Sequence, residues 1–140
     1  MDWGMIGPGV ILALGCIGSA IGCGIGGMAA HGAITHVEEG HGKLIGLSVL
    51  PASQTMYCLV LLILMSDKIR AKTLDPFVAL GIAIASGLAI MLSAIYQGKA
   101  VATAIQASAK QPALYGKCAA APVIIETFAI FAFVFTLLII

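Results

Sequence analysis

The 140-residue chain is 61% hydrophobic and only 9% charged, and its mean hydropathy is +1.11. A soluble domain needs many more polar side chains to cover its surface, so this composition excludes one and indicates a membrane protein. Seven basic and six acidic residues leave a formal net charge of +1. That balance provides no basic field for nucleic acid, and no nucleic-acid partner is expected.

Charged and polar segments divide the sequence into four apolar runs. Each run is long enough to cross a hydrocarbon core, which takes about 20 helical residues. The runs cover residues 5–35, 44–65, 77–97 with a small-residue extension to 107, and 118–140, and the polar segments between them cover 35–43, 66–76 and 107–117. The sequence therefore predicts an all-α protein with four transmembrane helices in a lipid bilayer, with segments 35–43 and 107–117 together on one side.

The two halves of the chain resemble each other. A shift of 72 positions aligns Gly9 with Gly81, Ala13 with Ala85, Gly15 with Gly87, Gly26 with Gly98, Thr55 with Thr127 and Gln54 with Glu126. A constant offset of this kind indicates a parallel duplication. It predicts two helical hairpins, residues 1–72 and 73–140, of which the second carries the acid.

Small residues follow a helical spacing in the first and third runs. They form the rows Gly18, Gly22, Gly26 and Gly15, Ser19, Cys23, Gly27 in the first run, and the rows Gly81, Ala85, Ala89, Ser93, Gln97 and Ala94, Gly98, Ala102 in the third. Helix backbones approach closely where side chains are this small. The first and third helices are therefore expected to form an inner wall shared between many subunits, and the second and fourth helices an outer wall facing lipid.

Glu126 is a carboxylate within the otherwise apolar run APVIIETFAIFAFVFTLLII, residues 121–140. An unpaired charge at the bilayer centre costs at least about 2.5 to 3.5 kcal/mol, so such an acid is a functional candidate. The polar side chains that lie away from the ends of the other runs are Ser53, Gln54 and Gln97. Counted from the helix ends, Gln54 and Glu126 lie at a similar depth.

These residues, with the backbone near Pro51, offer a set of oxygen atoms. Proline frees a carbonyl one turn earlier in its helix, and the Leu50 carbonyl is placed to turn inward as well. A carboxylate, two amide oxygens, a hydroxyl and a carbonyl form the shell that a hard cation prefers. Sodium fits this shell, and so does a proton on Glu126 with the amides as hydrogen-bond partners. Tyr57, one turn from Gln54, is placed either to donate its hydroxyl to the carboxylate or to lie at the membrane interface.

Three segments together resemble the double-hairpin proteolipid of V-type and A/V-type rotary ATPases. They are LPASQTMY (50–57), YQGKAVATAIQ (96–106) and IIETFAI (124–130), and the resemblance extends over nearly the whole chain. It implies that Glu126 carries the ion, that Tyr57 steadies the acid, and that the site is completed by Ser53, Gln54, Gln97 and the Leu50 carbonyl. Sodium-translocating members have Thr at the position of Ser53 and Gly at that of Ala52, so both Na⁺ and H⁺ stay open as the transported ion.

The same resemblance implies a mechanism and a set of partners. Copies of the chain assemble into a rotor ring, and a bound cation neutralises Glu126 while the site moves through lipid. The ion is exchanged at a stator subunit that has aqueous half-channels and an arginine. Central-stalk subunits are expected at 35–43 and 107–117, on the cytoplasmic side of a prokaryotic plasma membrane. The sequence has no Gly-rich loop followed by Lys and Ser or Thr, so we expect no organic cofactor and no enzyme activity of the chain on its own.

Two other functions are compatible with a small four-helix membrane protein. A proton-coupled multidrug antiporter also uses one intramembrane Glu, but such proteins carry it in the first helix, and the parallel duplication argues against this alternative. A purely structural membrane oligomer would leave Gln54, Gln97 and Glu126 at a shared depth without an explanation.

Overall fold

A computed structural model describes residues 3–140, so the first two residues of the predicted first hairpin lie outside the described chain. All regular structure in this range is helical, as predicted. The helices are α1 (Ile6–Ile34), α2 (His41–Ser48), α3 (Ser53–Arg70), α4 (Pro76–Lys110) and α5 (Tyr115–Ile139), with 3-10 turns at Trp3–Met5, Leu50–Ala52 and Pro112–Leu114. Four segments of the described chain are long and apolar enough to cross a membrane: Trp3–Ile34, His41–Arg70, Pro76–Lys110 and Pro112–Ile139. The prediction of four spans is confirmed.

The second span is interrupted at the 3-10 turn Leu50–Ala52, which joins α2 to α3. Pro51 lies in this turn, where it lacks a donor and its ring crowds the preceding turn. The Ala52 N–H donates to the Val49 carbonyl at 3.0 Å, which is the tighter bonding of a 3-10 turn. The sequence predicted that Pro51 opens this helix, and the break places Ser53 in the first turn of α3.

Helices α1 and α4 pack closely at the centre of the bundle. A Cβ added at Gly98 would lie 2.5 Å from the Cα of Gly22, and a Cβ added at Gly18 would lie 2.7 Å from the Cα of Met91. No side chain fits at such contacts, so the close approach predicted from the small residues is confirmed here. Three small residues of the predicted row on α4 are exposed in the single chain, where contacts with other subunits were predicted: Gly81, Ala85 and Ala89.

The apolar core consists of two clusters, one towards each end of the bundle. One is built around Ile11, Leu61, Met65, Ala83 and Ile90, and the other around Ala30, Leu44, Leu47, Val101 and Ile105. The side chains of Gln54 and Gln97 are fully buried, and along α4 Gln97 lies between Ile90 and Val101. The structure thus places a polar layer in the middle of an apolar bundle.

Large apolar side chains are exposed on all four spans, so the assignment of the second and fourth helices to a lipid-facing wall stays a prediction. Helix α5 has many exposed large apolar side chains, among them Ile124, Phe128, Phe131, Phe135 and Leu138. At one end of the bundle, segments 35–43 and 107–117 lie together and enclose a cavity of about 680 Å³. Across it, the Lys43 Nζ lies 5.8 Å from the centroid of the Tyr115 ring.

Candidate ion-binding site

Glu126 lies on α5, where it is partly buried, and its carboxylate faces α3. The Ser53 hydroxyl donates to the Glu126 Oε1 at 2.6 Å, and the Tyr57 hydroxyl donates to the same oxygen at 2.8 Å. Ser53 and Tyr57 are four residues apart on α3, and side chains at that spacing share one face of a helix. Of the two positions considered for Tyr57, the structure shows the one against the carboxylate. Its aromatic ring also packs 5.5 Å from the ring of Phe133.

The second carboxylate oxygen faces α4. The Gln97 Nε2 lies 3.3 Å from the Glu126 Oε2, and it also donates to the Pro122 carbonyl at 3.1 Å. The Gln97 Oε1 accepts a bond of 2.7 Å from the Gln54 Nε2. Because both amide side chains are fully buried, these bonds satisfy polar groups that would otherwise be costly at this depth.

The Leu50 carbonyl lies beside these side chains. Its oxygen lies 3.1 Å from the Ser53 Oγ, whose single proton is donated over the shorter distance to Glu126, and the same Oγ lies 3.3 Å from the Gln54 Oε1. The structure therefore brings together all six residues that the sequence selected, from α3, α4, α5 and the 3-10 turn: Leu50, Ser53, Gln54, Tyr57, Gln97 and Glu126. What these residues bind stays a prediction.

Three further groups support the site, and the sequence reasoning did not assign them this position. The Pro122 carbonyl receives the Gln97 amide, as described above. The Ser93 hydroxyl on α4 donates to the Ile125 carbonyl at 2.9 Å, next to Glu126. The Ser19 hydroxyl on α1 accepts from the backbone N–H of Thr55 at 3.1 Å. In the sequence, these groups could have been recognised only from Pro122 inside the fourth run and from Ser19 and Ser93 within the rows of small residues.

The cluster has the chemistry that a hard monovalent cation requires. Its acceptors are carboxylate, hydroxyl, amide and carbonyl oxygens, which is the ligand type that hard cations prefer. The same donors, from Ser53, Tyr57 and Gln97, bond the carboxylate oxygens and thereby stabilise a charge in an apolar setting. The structure thus shows one carboxylate whose two oxygens are bonded by side chains of α3 and α4.

The fold and this cluster define a multi-pass helical membrane protein with a carboxylate held at membrane depth. The chain belongs to the ATP synthase C-subunit family, which matches residues 6–65 and again residues 80–139. The double match confirms the duplication. The two matched segments are displaced by 74 residues at both ends (80 minus 6 and 139 minus 65), compared with the 72-residue shift that relates Gln54 to Glu126. The hairpin boundary between residues 72 and 73 stays a prediction.

Two similar proteins have names that describe rotary ATPases. The A-type ATP synthase subunit K of Methanocaldococcus jannaschii is 32% identical over 135 residues, which are 96% of this chain and 60% of that protein. The V-type sodium ATPase subunit K of Enterococcus hirae is 32% identical over 126 residues, which are 89% of this chain and 81% of that protein. The chain thus spans 60% of the length of the first of these relatives.

Proposed function

We propose that the chain is an ion-carrying subunit of the rotor ring of a V-type or A-type rotary ATPase, with Glu126 as the ion-carrying group. One observation carries the proposal: side chains of α3 and α4 contact both oxygens of a carboxylate on α5, at 2.6 and 2.8 Å for Oε1 and 3.3 Å for Oε2. Membership of the family and the two subunit K relatives support it. ATP chemistry would reside on other subunits, so the chain is not an enzyme on its own.

The mechanism follows from the energy of a charge in hydrocarbon. An uncompensated Glu126 would cost at least about 2.5 to 3.5 kcal/mol at the bilayer centre, so the site crosses lipid only when a cation or proton neutralises it. Release of the ion requires a counter-charge and water, which a stator subunit with an arginine and half-channels would supply. Each elementary charge that crosses 100 mV exchanges about 2.3 kcal/mol, so several ions together match one ATP. Rotation of the ring couples passage of the neutralised site through lipid to release of the ion at the stator.

We propose Na⁺ as the first candidate for the transported ion and H⁺ as the second. The Ser53 Oγ lies 2.6 Å from the Glu126 Oε1 and 3.1 Å from the Leu50 carbonyl oxygen, and a group of three oxygens suits a metal cation more than a bare proton. The Enterococcus hirae relative is named a sodium ATPase. The Ser at position 53 keeps the hydroxyl that the resemblance assigns to sodium-translocating members as Thr.

The partners of the proposed subunit follow from its place in a rotor. Proteins of this family form rings within rotary ATPases, and we propose that copies of this chain do so as well. Segments 35–43 and 107–117 meet at one end of the bundle and would contact the central-stalk subunits on the cytoplasmic side. The four membrane-spanning segments indicate an integral membrane protein, and we propose a prokaryotic plasma membrane as its location.

Carbodiimide labelling of purified rings tests this function. We expect a single fast-reacting carboxyl at Glu126 and expect Na⁺ to slow the reaction. The Glu126→Gln variant should lose both the label and ion pumping, whereas Asp67→Asn, exposed near the end of α3 and outside the segments proposed to meet the stalk, should change neither. Pumping that survives Glu126→Gln would overturn the proposal. Labelling that responds to pH but not to Na⁺ would identify H⁺, and not Na⁺, as the transported ion.

A further inference from the structure

Helix α3 begins at a position where its own sequence offers no capping group. The N-cap residue is Ala52, whose methyl side chain cannot accept a hydrogen bond. The first backbone N–H groups of an α-helix lack carbonyl partners within that helix and are usually bonded by an N-cap side chain such as Ser or Asp. The adjacent hydroxyl, on Ser53, is engaged with Glu126 and Leu50.

The missing acceptor comes from another helix. The Ser19 Oγ, on α1, accepts a bond of 3.1 Å from the N–H of Thr55, the third residue of α3. This is the N–H that a capping side chain normally bonds. The Thr55 hydroxyl also donates to the Gly15 carbonyl at 3.4 Å, so Thr55 bonds α1 through both its backbone N–H and its side chain. Ser19 is 7% exposed, which shields its bond from water.

Glycine brings the two helices close enough for this contact. A Cβ added at Gly15 would lie 2.7 Å from the Cβ of Cys58, so a side chain at Gly15 would push α1 away from α3. Thr55 directly follows Ser53 and Gln54, which bond Glu126 and Gln97 respectively. A shift of the first turn of α3 would therefore move two of the proposed ion-binding side chains.

We infer that Ser19 is a positioning residue of the ion site: α1 supplies the N-cap of α3, and this cap fixes the oxygens of Ser53 and Gln54 relative to Glu126. The inference rests on the proposed function and deepens it. Ser19 does not contact the carboxylate, so it acts only through the backbone of α3. Its bond differs from that of Ser86, a buried hydroxyl that donates within its own helix to the Ile82 carbonyl.

The test uses the complete ATPase in sealed vesicles, with turnover measured against the concentration of the transported ion, Na⁺ or H⁺. Ser19→Ala should raise the concentration at half-maximal turnover about three- to tenfold, the effect of losing one hydrogen bond, with maximal turnover changed by less than about twofold. Ser19→Thr keeps the acceptor and should resemble the wild type. Ser19→Cys keeps a similar volume with a weaker acceptor and should also raise the half-maximal concentration.

Ser86→Ala is the matched control, because it removes a buried hydroxyl that does not join two helices. It should leave the half-maximal concentration unchanged. The inference is overturned if Ser19→Ala lowers only maximal turnover, if Ser86→Ala gives the same shift, or if neither Ser19→Ala nor Ser19→Cys assembles while Ser86→Ala does. The Glu126→Gln variant tests the proposed function separately. Turnover that persists in Glu126→Gln would refute the function, whereas the outcomes above refute only the role of Ser19.

Discussion

The Gln54 Nε2 donates to the Gln97 Oε1 over 2.7 Å, and both side chains are fully buried. Since its oxygen is held by Gln54, Gln97 directs its Nε2 towards Glu126, at 3.3 Å from Oε2. The two predicted hairpins therefore each contribute one amide to a single chain of hydrogen bonds. The chain runs from Gln54 through Gln97 to Glu126. It therefore turns the nitrogen of the Gln97 amide, and not its oxygen, towards the carboxylate.

Replacing Gln54 by Leu should weaken ion binding although Gln54 does not itself bond the carboxylate. The Gln97 Oε1 would be left unpartnered in an apolar layer, and such a group costs about 1 to 3 kcal/mol, or roughly five- to 150-fold in a binding constant. The half-maximal ion concentration for turnover measures this loss. Gln106→Leu, on the exposed side of α4, should have no effect.

The same pair predicts non-additive effects. In a double-mutant cycle with Gln54→Leu and Gln97→Leu, the double variant should lose less ion affinity than the sum of the two single losses. With both amides removed, neither is left buried without its hydrogen-bond partner. Additive losses would show that the two amides act independently of their mutual bond.

Tyr57→Phe should shift the ion affinity of the site while leaving the packing intact. The substitution removes a donor 2.8 Å from Glu126 Oε1 but keeps the aromatic contact with Phe133. A hydrogen bond to a charged group contributes about 1.5 to 3 kcal/mol, so the half-maximal ion concentration should change at least about tenfold. Thermal unfolding of the rotor ring should shift little. A large loss of thermal stability with unchanged ion dependence would indicate a structural role for the hydroxyl.

The sequence predicted most of the site because the bilayer makes polar residues informative. Glu126, Gln54 and Gln97 could be selected as polar side chains away from the ends of apolar runs, where each needs a partner, and Gln54 and Glu126 also matched in depth. The break near Leu50 followed from the chemistry of Pro51. These predictions used the polarity of residues, their distance from helix ends and the chemistry of proline, and the family resemblance joined them into one site.

What the sequence did not predict are contacts that depend on helix rotation. Ser19 and Ser93 stand in rows of small residues, where a hydroxyl serves packing as well as a glycine does. Only the orientation of α1 and α4 shows that these hydroxyls bond the backbones of α3 and α5. Gly81 and Ala85 are exposed in the single chain, and their predicted contact with neighbouring subunits stays a prediction.

Gly98→Ala should destabilise the protein, because the new methyl would lie 2.5 Å from the Cα of Gly22 and backbone cannot move aside as a flexible side chain can. Overpacking of this kind typically costs about 1 to 3 kcal/mol. Thermal unfolding of the purified protein in detergent measures the effect. Gly46→Ala on α2, in a span predicted to face lipid, is the control, since within the described chain its Cβ would meet no atom within 4 Å. Equal losses in the two variants would mean that α1 and α4 do not pack as the structure shows.

Ser53→Ala distinguishes a metal cation from a proton as the transported ion. The change removes the donor 2.6 Å from the Glu126 Oε1 and one oxygen of the proposed shell, 3.1 Å from the Leu50 carbonyl. A metal cation needs several oxygen ligands at once, whereas a proton on Glu126 needs only one acceptor. We therefore expect protection of Glu126 by Na⁺ to require at least about tenfold more Na⁺, the equivalent of about 1.4 kcal/mol.

Two variants show whether this effect belongs to the hydroxyl at position 53. Ser53→Thr keeps the oxygen, so Glu126 should be protected at a Na⁺ concentration close to that of the wild type. Ser66→Ala removes another α3 hydroxyl, bonded within its helix to the Leu62 carbonyl at 2.7 Å, and should leave protection unchanged. If Ser53→Ala retains wild-type protection by Na⁺, the hydroxyl is not a ligand. If Ser66→Ala weakens protection equally, the effect arises from α3 as a whole, since Ser66 lies more than three helical turns from the carboxylate's partner at Ser53.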